Sequence, residues 1–264
     1  MIFSVMARRV KWRNIGICVL VVVAVGFFAY VAIANSGKDE DKTCRDIKVE
    51  IADANELSFV SDSDVVSLIK KRYPKLIGQK KKNIDIKAIE VLLMKDSVIR
   101  RAECYYLPGG DLGVKIWQRL PVMRILGDNS YYVDNEGKIF PLSENYNAYV
   151  PIVTGHIDKK FVTTELKDFM VYVSRDEFWS AEIQQIVISD DNKLTIIPTL
   201  GDHKIVFGTV EGYEEKLQRL KTFYVKGLSK IGWGDYSAVN VEFAKQVICT
   251  KKKSSGEDMS SSCS

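Results

Sequence analysis

The chain has 264 residues, 46% of them apolar, which allows one or two domains with packed cores. Four of its 38 basic residues lie within the first 14 positions, which leaves 34 basic against 34 acidic residues elsewhere. This neutral balance argues against a nucleic-acid-binding protein, because such a protein carries a basic patch on the domain itself.

Residues 15–34 contain no charged side chain and follow a basic head at residues 1–14. A helix of this length rises roughly 30 Å, which matches the hydrocarbon core of a bilayer. A cleaved secretory signal also has a basic head, and Ala32-Ile33-Ala34 resembles its cleavage site, but its apolar region is shorter, about 7–15 residues. We therefore expect a single transmembrane helix, with the head in the cytoplasm and the rest of the chain outside.

A polar linker at residues 35–44 precedes a module with the predicted order β-α-α-β-β, at residues 45–120. Ser61 and Asp64 have the spacing of a capping box, which predicts the start of its first helix. The composition of residues 108–111 predicts a hairpin turn between the last two strands. The patterns predict strands at residues 47–51, 99–106 and 112–118, and helices through residues 65–73 and 86–93.

Residues 121–250 are richer in predicted strands, so the two regions together indicate an α+β fold. At their end Val239, Val241 and Phe243 alternate with Asn240 and Glu242, as in a strand with one buried face. Residues 251–264, rich in Lys and Ser, are expected to be disordered. Earlier patterns predict a hairpin at residues 131–140, helices through 166–173 and 213–224, and strands at 183–188, 194–197 and 204–207.

No set of residues forms a recognisable catalytic, metal-binding or cofactor-binding motif. His156 and His203 belong to no metal-ligand pattern, and the spacings of Cys44, Cys104 and Cys249 fit none either. We therefore expect no enzymatic activity, no metal, no cofactor and no small-molecule substrate. The three cysteines are expected to be free or buried thiols, although a compartment outside the cytoplasm also permits disulfides.

One local match to an enzyme motif is present. Ser67-Leu68-Ile69-Lys70 has the S-x-x-K spacing of penicillin-binding enzymes. It lies within a predicted amphipathic helix, and no K-T-G triplet accompanies it, so we attribute the match to chance. A membrane-anchored cell-wall hydrolase remains an alternative that Ser67→Ala would test, and we expect that substitution to have no effect.

Several short segments resemble, in order, the motifs of one family. IWQRLPVMR at residues 116–124 is similar to V-x-E-R-x-P-V-A-x-W, with Gln118 in place of the usual Glu. YVDNEGKIF at 132–140 is similar to L-V-D-x-x-G-x-V-F, and VNVEF at 239–243 lies where the family has I-D-L-R-Y. With the anchor and the β-α-α-β-β module, these segments resemble the bacterial cell-division family FtsQ/DivIB, whose first domain is a POTRA domain.

The resemblance implies a non-enzymatic scaffold in the cytoplasmic (inner) membrane at the division septum. It also implies partners: the coiled-coil division proteins FtsB and FtsL, and through them the septal peptidoglycan synthase complex. In the family, a segment of FtsB adds a strand to the last strand of the C-terminal domain. A POTRA-type docking factor in envelope assembly or secretion is the alternative.

The last strand and the residues before it are therefore the expected partner-binding site. We expect Val241 to face the core, Phe243 to face either the core or the partner, and the free edge to lie at residues 246–250. Because Glu242 replaces an Arg of the family, we hypothesise a basic residue on the partner opposite it. A second docking surface is expected near residues 103–106. The candidate partner-binding residues are Glu242, Phe243, Gln246, Val247, Ile248, Cys249 and Thr250.

Overall fold

A computed structural model describes residues 16, 17, 19–31, 43–144, 146–228 and 234–252. The chain divides into two compact units. The first unit takes in Met1–Ala52, Ser61–Lys95 and Arg101–Ile116, and the second takes in Asp53–Val60, Asp96–Arg100 and Trp117–Ser264.

Residues 16, 17 and 19–31 are helical. Within the part of the chain that the structure describes, no helix is both long enough and apolar enough to cross a bilayer. The predicted transmembrane helix at 15–34 therefore stays a prediction. The head, residues 35–42 of the linker and residues 253–264 of the tail lie outside the described residues.

The first unit contains the predicted β-α-α-β-β order. Its three-stranded sheet has the order β1–β3–β2, with β1 parallel to β3, so that β2 lies at an edge. The capping box is confirmed, because the Ser61 side chain accepts from the backbone N–H of Asp64 and the Asp64 carboxylate accepts from that of Ser61. The elements are β1 (Ile47–Ile51), α1 (Asp62–Arg72), α2 (Ile86–Leu93), β2 (Ile99–Tyr106) and β3 (Leu112–Gln118), and the strand bounds are those predicted.

The second unit is built on a sheet whose nine described strands have the order β12-β11-β10-β9-β8-β7-β4-β5-β6. The sheet is mixed: β10 and β11 are parallel, whereas β11 and β12 form an antiparallel hairpin. The strands are β4 (Pro121–Ile125), β5 (Tyr131–Asp134), β6 (Ile139–Pro141), β7 (Ile152–Gly155), β8 (Ile183–Ile188), β9 (Leu194–Pro198), β10 (Lys204–Gly208), β11 (Tyr236–Asn240) and β12 (Ile248–Lys251).

Four helices of this unit bury their apolar sides against the sheet. Alternate strand residues such as Met123, Ile186 and Val239 pack in one core with Phe169 and Leu220 of the helices. Strands that bury every second residue thus pack against helices that bury one apolar side, which accounts for the mixed α+β fold. The helices are α3 (Lys159–Thr163), α4 (Glu165–Arg175), α5 (Glu177–Glu182) and α6 (Tyr213–Phe223).

Residues 53–60 are held in the second unit by the side chain of Gln118, which is buried. Its Oε1 accepts from the backbone N–H groups of Phe59 and Val60 at 2.9 and 3.1 Å. Its Nε2 donates to Asp53 Oδ1 at 2.9 Å and to the carbonyl of Leu57 at 3.0 Å. Every hydrogen-bonding position of the amide is therefore used, which is what a buried polar group requires.

Candidate partner-binding edge

The last two strands that the structure describes form a hairpin, and the second of them lies at an edge of the described sheet. β12 pairs only with β11 among the described strands, in the register Ala238↔Thr250 and Asn240↔Ile248. An edge strand presents unpaired backbone groups to a potential partner. The sequence argument that the last strand lies at an edge is therefore confirmed.

The prediction of one continuous strand through residues 239–243 was wrong beyond Asn240. The Asn240 side-chain oxygen accepts from the N–H of Glu242 at 2.9 Å, a local bond that competes with strand pairing. Lys245 then has a positive φ of 63°, and the chain turns back into β12. Val241 is fully buried in the core, as expected, although it lies after the strand.

One backbone contact, with the alternation of groups along a strand, shows which groups of β12 point away from the sheet. The N–H of Lys252 donates to the carbonyl of Asp235, across the hairpin, at 2.9 Å. Because backbone groups alternate sides along a strand, Thr250 and Ile248 also point toward β11. The N–H and C=O groups of Cys249 and Lys251 therefore point away from it, where a further strand would bind.

The candidate side chains near this edge differ in exposure. Phe243 and Ile248 are 51% and 45% exposed, so both present apolar surface to solvent, and Gln246 and Thr250 are also exposed. Val247 and Cys249 are half-buried and pack against the core.

The three described cysteines outside the N-terminal helix, Cys44, Cys104 and Cys249, are free thiols, as expected. At the edge, burial raises the pKa of the Cys249 thiol, so it stays protonated at neutral pH.

Glu242 is engaged within the fold. Its carboxylate lies 3.4 Å from Lys193 Nζ, and Asp191 and Glu242 together raise the pKa of that lysine. Its side chain also covers Gly208, which has a φ of +76°, and a Cβ on that glycine would lie 2.5 Å from Glu242 Cγ. Glycine at position 208 thus permits both the backbone conformation and the position of Glu242.

Arg219, on α6, holds the turn between the two strands. Its Nη2 donates to the carbonyl of Val241 at 2.9 Å and to that of Phe243 at 3.1 Å. Sequence reasoning missed this residue because Arg219 lies on the charged side of an amphipathic helix, where nothing in the pattern indicates a contact 22 residues away. The contact fixes the residues that lead into the edge.

We expect Arg219→Leu to loosen this turn, because the carbonyls of Val241 and Phe243 lose a charged donor. The free energy of unfolding should fall by about 1–2 kcal/mol. Amide hydrogen exchange at residues 242–248 should accelerate more than exchange in β9, measured by mass spectrometry. Arg219→Lys is the matched control, since it keeps a charged donor on a shorter side chain and should have a smaller effect. Unchanged exchange in this turn would contradict the assignment.

At the other end of the hairpin, Lys252 forms an ion pair with Asp202, which lies in the turn between β9 and β10. Lys252 Nζ lies 3.1 Å from Asp202 Oδ2. The neighbouring His203 is buried, and its Nε2 lies 2.6 Å from the hydroxyl of Tyr224. Burial lowers the pKa of His203, so the ring is neutral at pH 7. His203 is therefore a buried polar residue with a hydrogen-bond partner in Tyr224.

The described residues contain no cluster of His, Cys, Asp or Glu that could hold a metal ion. Ser67 and Lys70 of the S-x-x-K match are both exposed on α1. Ser67 therefore lacks the water-excluding pocket that an acylating serine requires.

The features of the two units are typical of a protein-binding scaffold: a small α/β module, and a mixed sheet whose last described strand is an edge beside exposed apolar side chains. Residues 42–117 match the model of a POTRA-like domain, and residues 120–250 match that of the FtsQ/DivIB C-terminal related domain. The chain belongs to the FtsQ/DivIB family. No match was found among curated proteins.

Membership in this family of non-enzymatic scaffolds supports a role in the cell-division machinery. It indicates division proteins as partners and association with the division site. The resemblance that the sequence motifs gave is thus confirmed at the level of the family.

Proposed function

We propose that this chain is a divisome scaffold that binds FtsB- and FtsL-like coiled-coil proteins by strand addition to β12. Through them it links to the regulation of septal peptidoglycan synthesis. It is held at the septum by its N-terminal helix, with the two units outside the cytoplasm. The observation that carries the proposal is the free edge of β12, with outward backbone groups at Cys249 and Lys251.

Strand addition suits this edge physically. Backbone hydrogen bonds from the added strand supply affinity, and pockets for alternate side chains supply specificity. An added strand would place side chains beside the exposed Ile248 and Thr250 on one face of the sheet, and beside Val247 and Cys249 on the other. Phe243, exposed at the turn, provides an aromatic contact of the kind enriched in interfaces.

The test is photo-crosslinking in cells with a photoreactive amino acid at position 243 or 248. Ile139, which is 41% exposed on the opposite edge strand β6, is the matched control. We expect capture of a small single-pass coiled-coil protein from positions 243 and 248, and none from position 139. Capture from position 139 alone would refute binding at β12.

Glu242 allows a second test of the same proposal. We expect Glu242→Arg to weaken partner binding several-fold, because it reverses a charge beside the edge and places a cation against Lys193. Binding is measured by pull-down of the purified partner with the full chain. Glu242→Gln removes the negative charge without adding a positive one, so it distinguishes lost attraction to the partner from new repulsion. If Glu242→Arg binds as well as wild type, the hypothesis of a basic partner residue opposite Glu242 fails.

A further inference from the structure

The second unit contains a pair of clefts remote from β12. They have volumes of about 310 and 210 Å³ and share the segment formed by residues 148–151. The lining strand nearest to β12 is β8, through Ile183 and Gln184, and three strands separate β8 from β12. At roughly 4.8 Å per strand, the clefts begin about 19 Å from the edge. A strand bound at β12 would therefore leave them open.

The larger cleft is mainly apolar. Its lining includes Leu57, Leu120, Val122, Met170 and Val173. Tyr149 lines both clefts and is 92% exposed, so its ring stands at the lip that divides them. A concave apolar surface with a few polar groups is the usual form of a binding site, and exposed tyrosines are enriched where partners bind.

The two clefts carry opposite charges. Arg124, on β4, lines the smaller cleft, and Glu56 lines the larger one. Arg124 Nη1 lies 3.5 Å from Asn147 Oδ1, at the outer limit for a hydrogen bond, and its buried Nε has no hydrogen-bond partner among the described atoms. A guanidinium whose Nε remains available can bind a carboxylate through two parallel N–H···O bonds. Glu56 is exposed and can attract a cation.

We propose that these clefts bind a short peptide segment of a partner protein, with a carboxylate at Arg124, apolar side chains in the larger cleft and a basic group at Glu56. Charge complementarity decides which end of the segment lies at Arg124 and which lies at Glu56. The apolar lining between Arg124 and Glu56 supplies the area to be buried, and Tyr149 closes over the peptide backbone. The site is independent of strand addition at β12.

The probe is a fluorescent synthetic peptide of composition Lys-Ala-Leu-Leu-Ala-Glu, titrated with the full chain and followed by fluorescence anisotropy. The control peptide replaces both charged residues by Gln and keeps the four apolar ones. We expect the charged peptide to bind at least about tenfold more tightly than the control. Equal binding of both peptides, or no binding of either at millimolar concentration, would overturn the proposal.

Variants distinguish loss of this binding site from loss of stability. Arg124→Gln and Glu56→Gln should each weaken the charged peptide severalfold and reduce its advantage over the Gln control. Lys226→Gln, at an exposed lysine that lines neither cleft, should change nothing. Arg124→Glu makes both ends of the site acidic, so it should favour a peptide with Lys at both ends over one with Glu at both ends, a result that general loss of stability cannot produce.

The proposed function and this inference can be tested separately. Cys249→Pro should block strand addition at β12 and leave peptide binding in the clefts unchanged. If peptide binding instead disappears with Cys249→Pro and persists in Arg124→Gln, the peptide binds at the edge and the cleft is not its site.

Discussion

Cys249→Pro should abolish partner binding at β12 while leaving the stability of the chain close to that of the wild type. The N–H of Cys249 points away from β11, so proline at this position removes no hydrogen bond of the hairpin. It does remove a donor that an added strand would use, and its ring obstructs close approach. Natural proteins use proline on edge strands in the same way to prevent further pairing. We expect partner affinity to fall at least about tenfold.

Thr250→Pro is the matched control, one residue further along the same strand. The N–H of Thr250 faces Ala238 of β11, so proline there breaks the hairpin itself. We expect its free energy of unfolding to drop by about 3 kcal/mol, against less than about 1 kcal/mol for Cys249→Pro. Thermal unfolding gives the stability of both variants, and pull-down of the purified partner gives their binding. If Cys249→Pro is stable and still binds, the partner does not pair with β12.

Sequence patterns predicted most of the elements because each carries its own periodicity. In the first unit the alternation in residues 47–51 and the capping box at Ser61 were enough to locate a strand and a helix start. β4 and β7 were missed. β4 begins with Pro121 and is buried at four of its five residues, so it shows no alternation, and β7 has only four residues.

The sequence patterns could not predict which distant strands pair with each other. The parallel alignment of β10 with β11 joins residues separated by helix α6, and no local signal specifies it. The same limit applies to the candidate site. The free edge could be predicted from chain order, but the break at Asn240 depends on a side chain–backbone bond, and the turn depends on Arg219 from another element.

The second large effect is expected at Gln118. Gln118→Glu should destabilise the second unit by about 3 kcal/mol at pH 7, although it changes only one NH₂ group to oxygen. The Gln118 Nε2 donates to Asp53 Oδ1 and to the carbonyl of Leu57. A carboxylate in this buried position would place an acceptor against two other acceptors, Asp53 Oδ1 and the carbonyl of Leu57. Its burial and the negative charge of Asp53 would raise the pKa of the new carboxyl group.

The pH dependence of Gln118→Glu follows from that raised pKa. Protonation restores a donor, so the penalty is absent below the unfolded-state pKa of about 4.3. It grows as the pH rises through the window between that value and the higher folded-state pKa, because the folded state then holds a proton that the unfolded state has lost. The difference in unfolding free energy between wild type and variant, measured by urea denaturation from acid to neutral pH, should increase across this window.

A reciprocal exchange tests whether the cause is this single contact. Asp53 accepts from both the backbone N–H and the Nε2 of Gln118, so Asp53→Asn alone sets an amide donor against one of these two donors and should also destabilise the chain. Asp53→Asn combined with Gln118→Glu restores one donor and one acceptor, so the double variant should be more stable than the sum of the single effects predicts, by about 1–3 kcal/mol. Additive effects would show that Gln118 acts through something other than Asp53. Because Glu56 and Leu57 belong to the segment that Gln118 holds, destabilisation without rescue should also reduce peptide binding in the larger cleft.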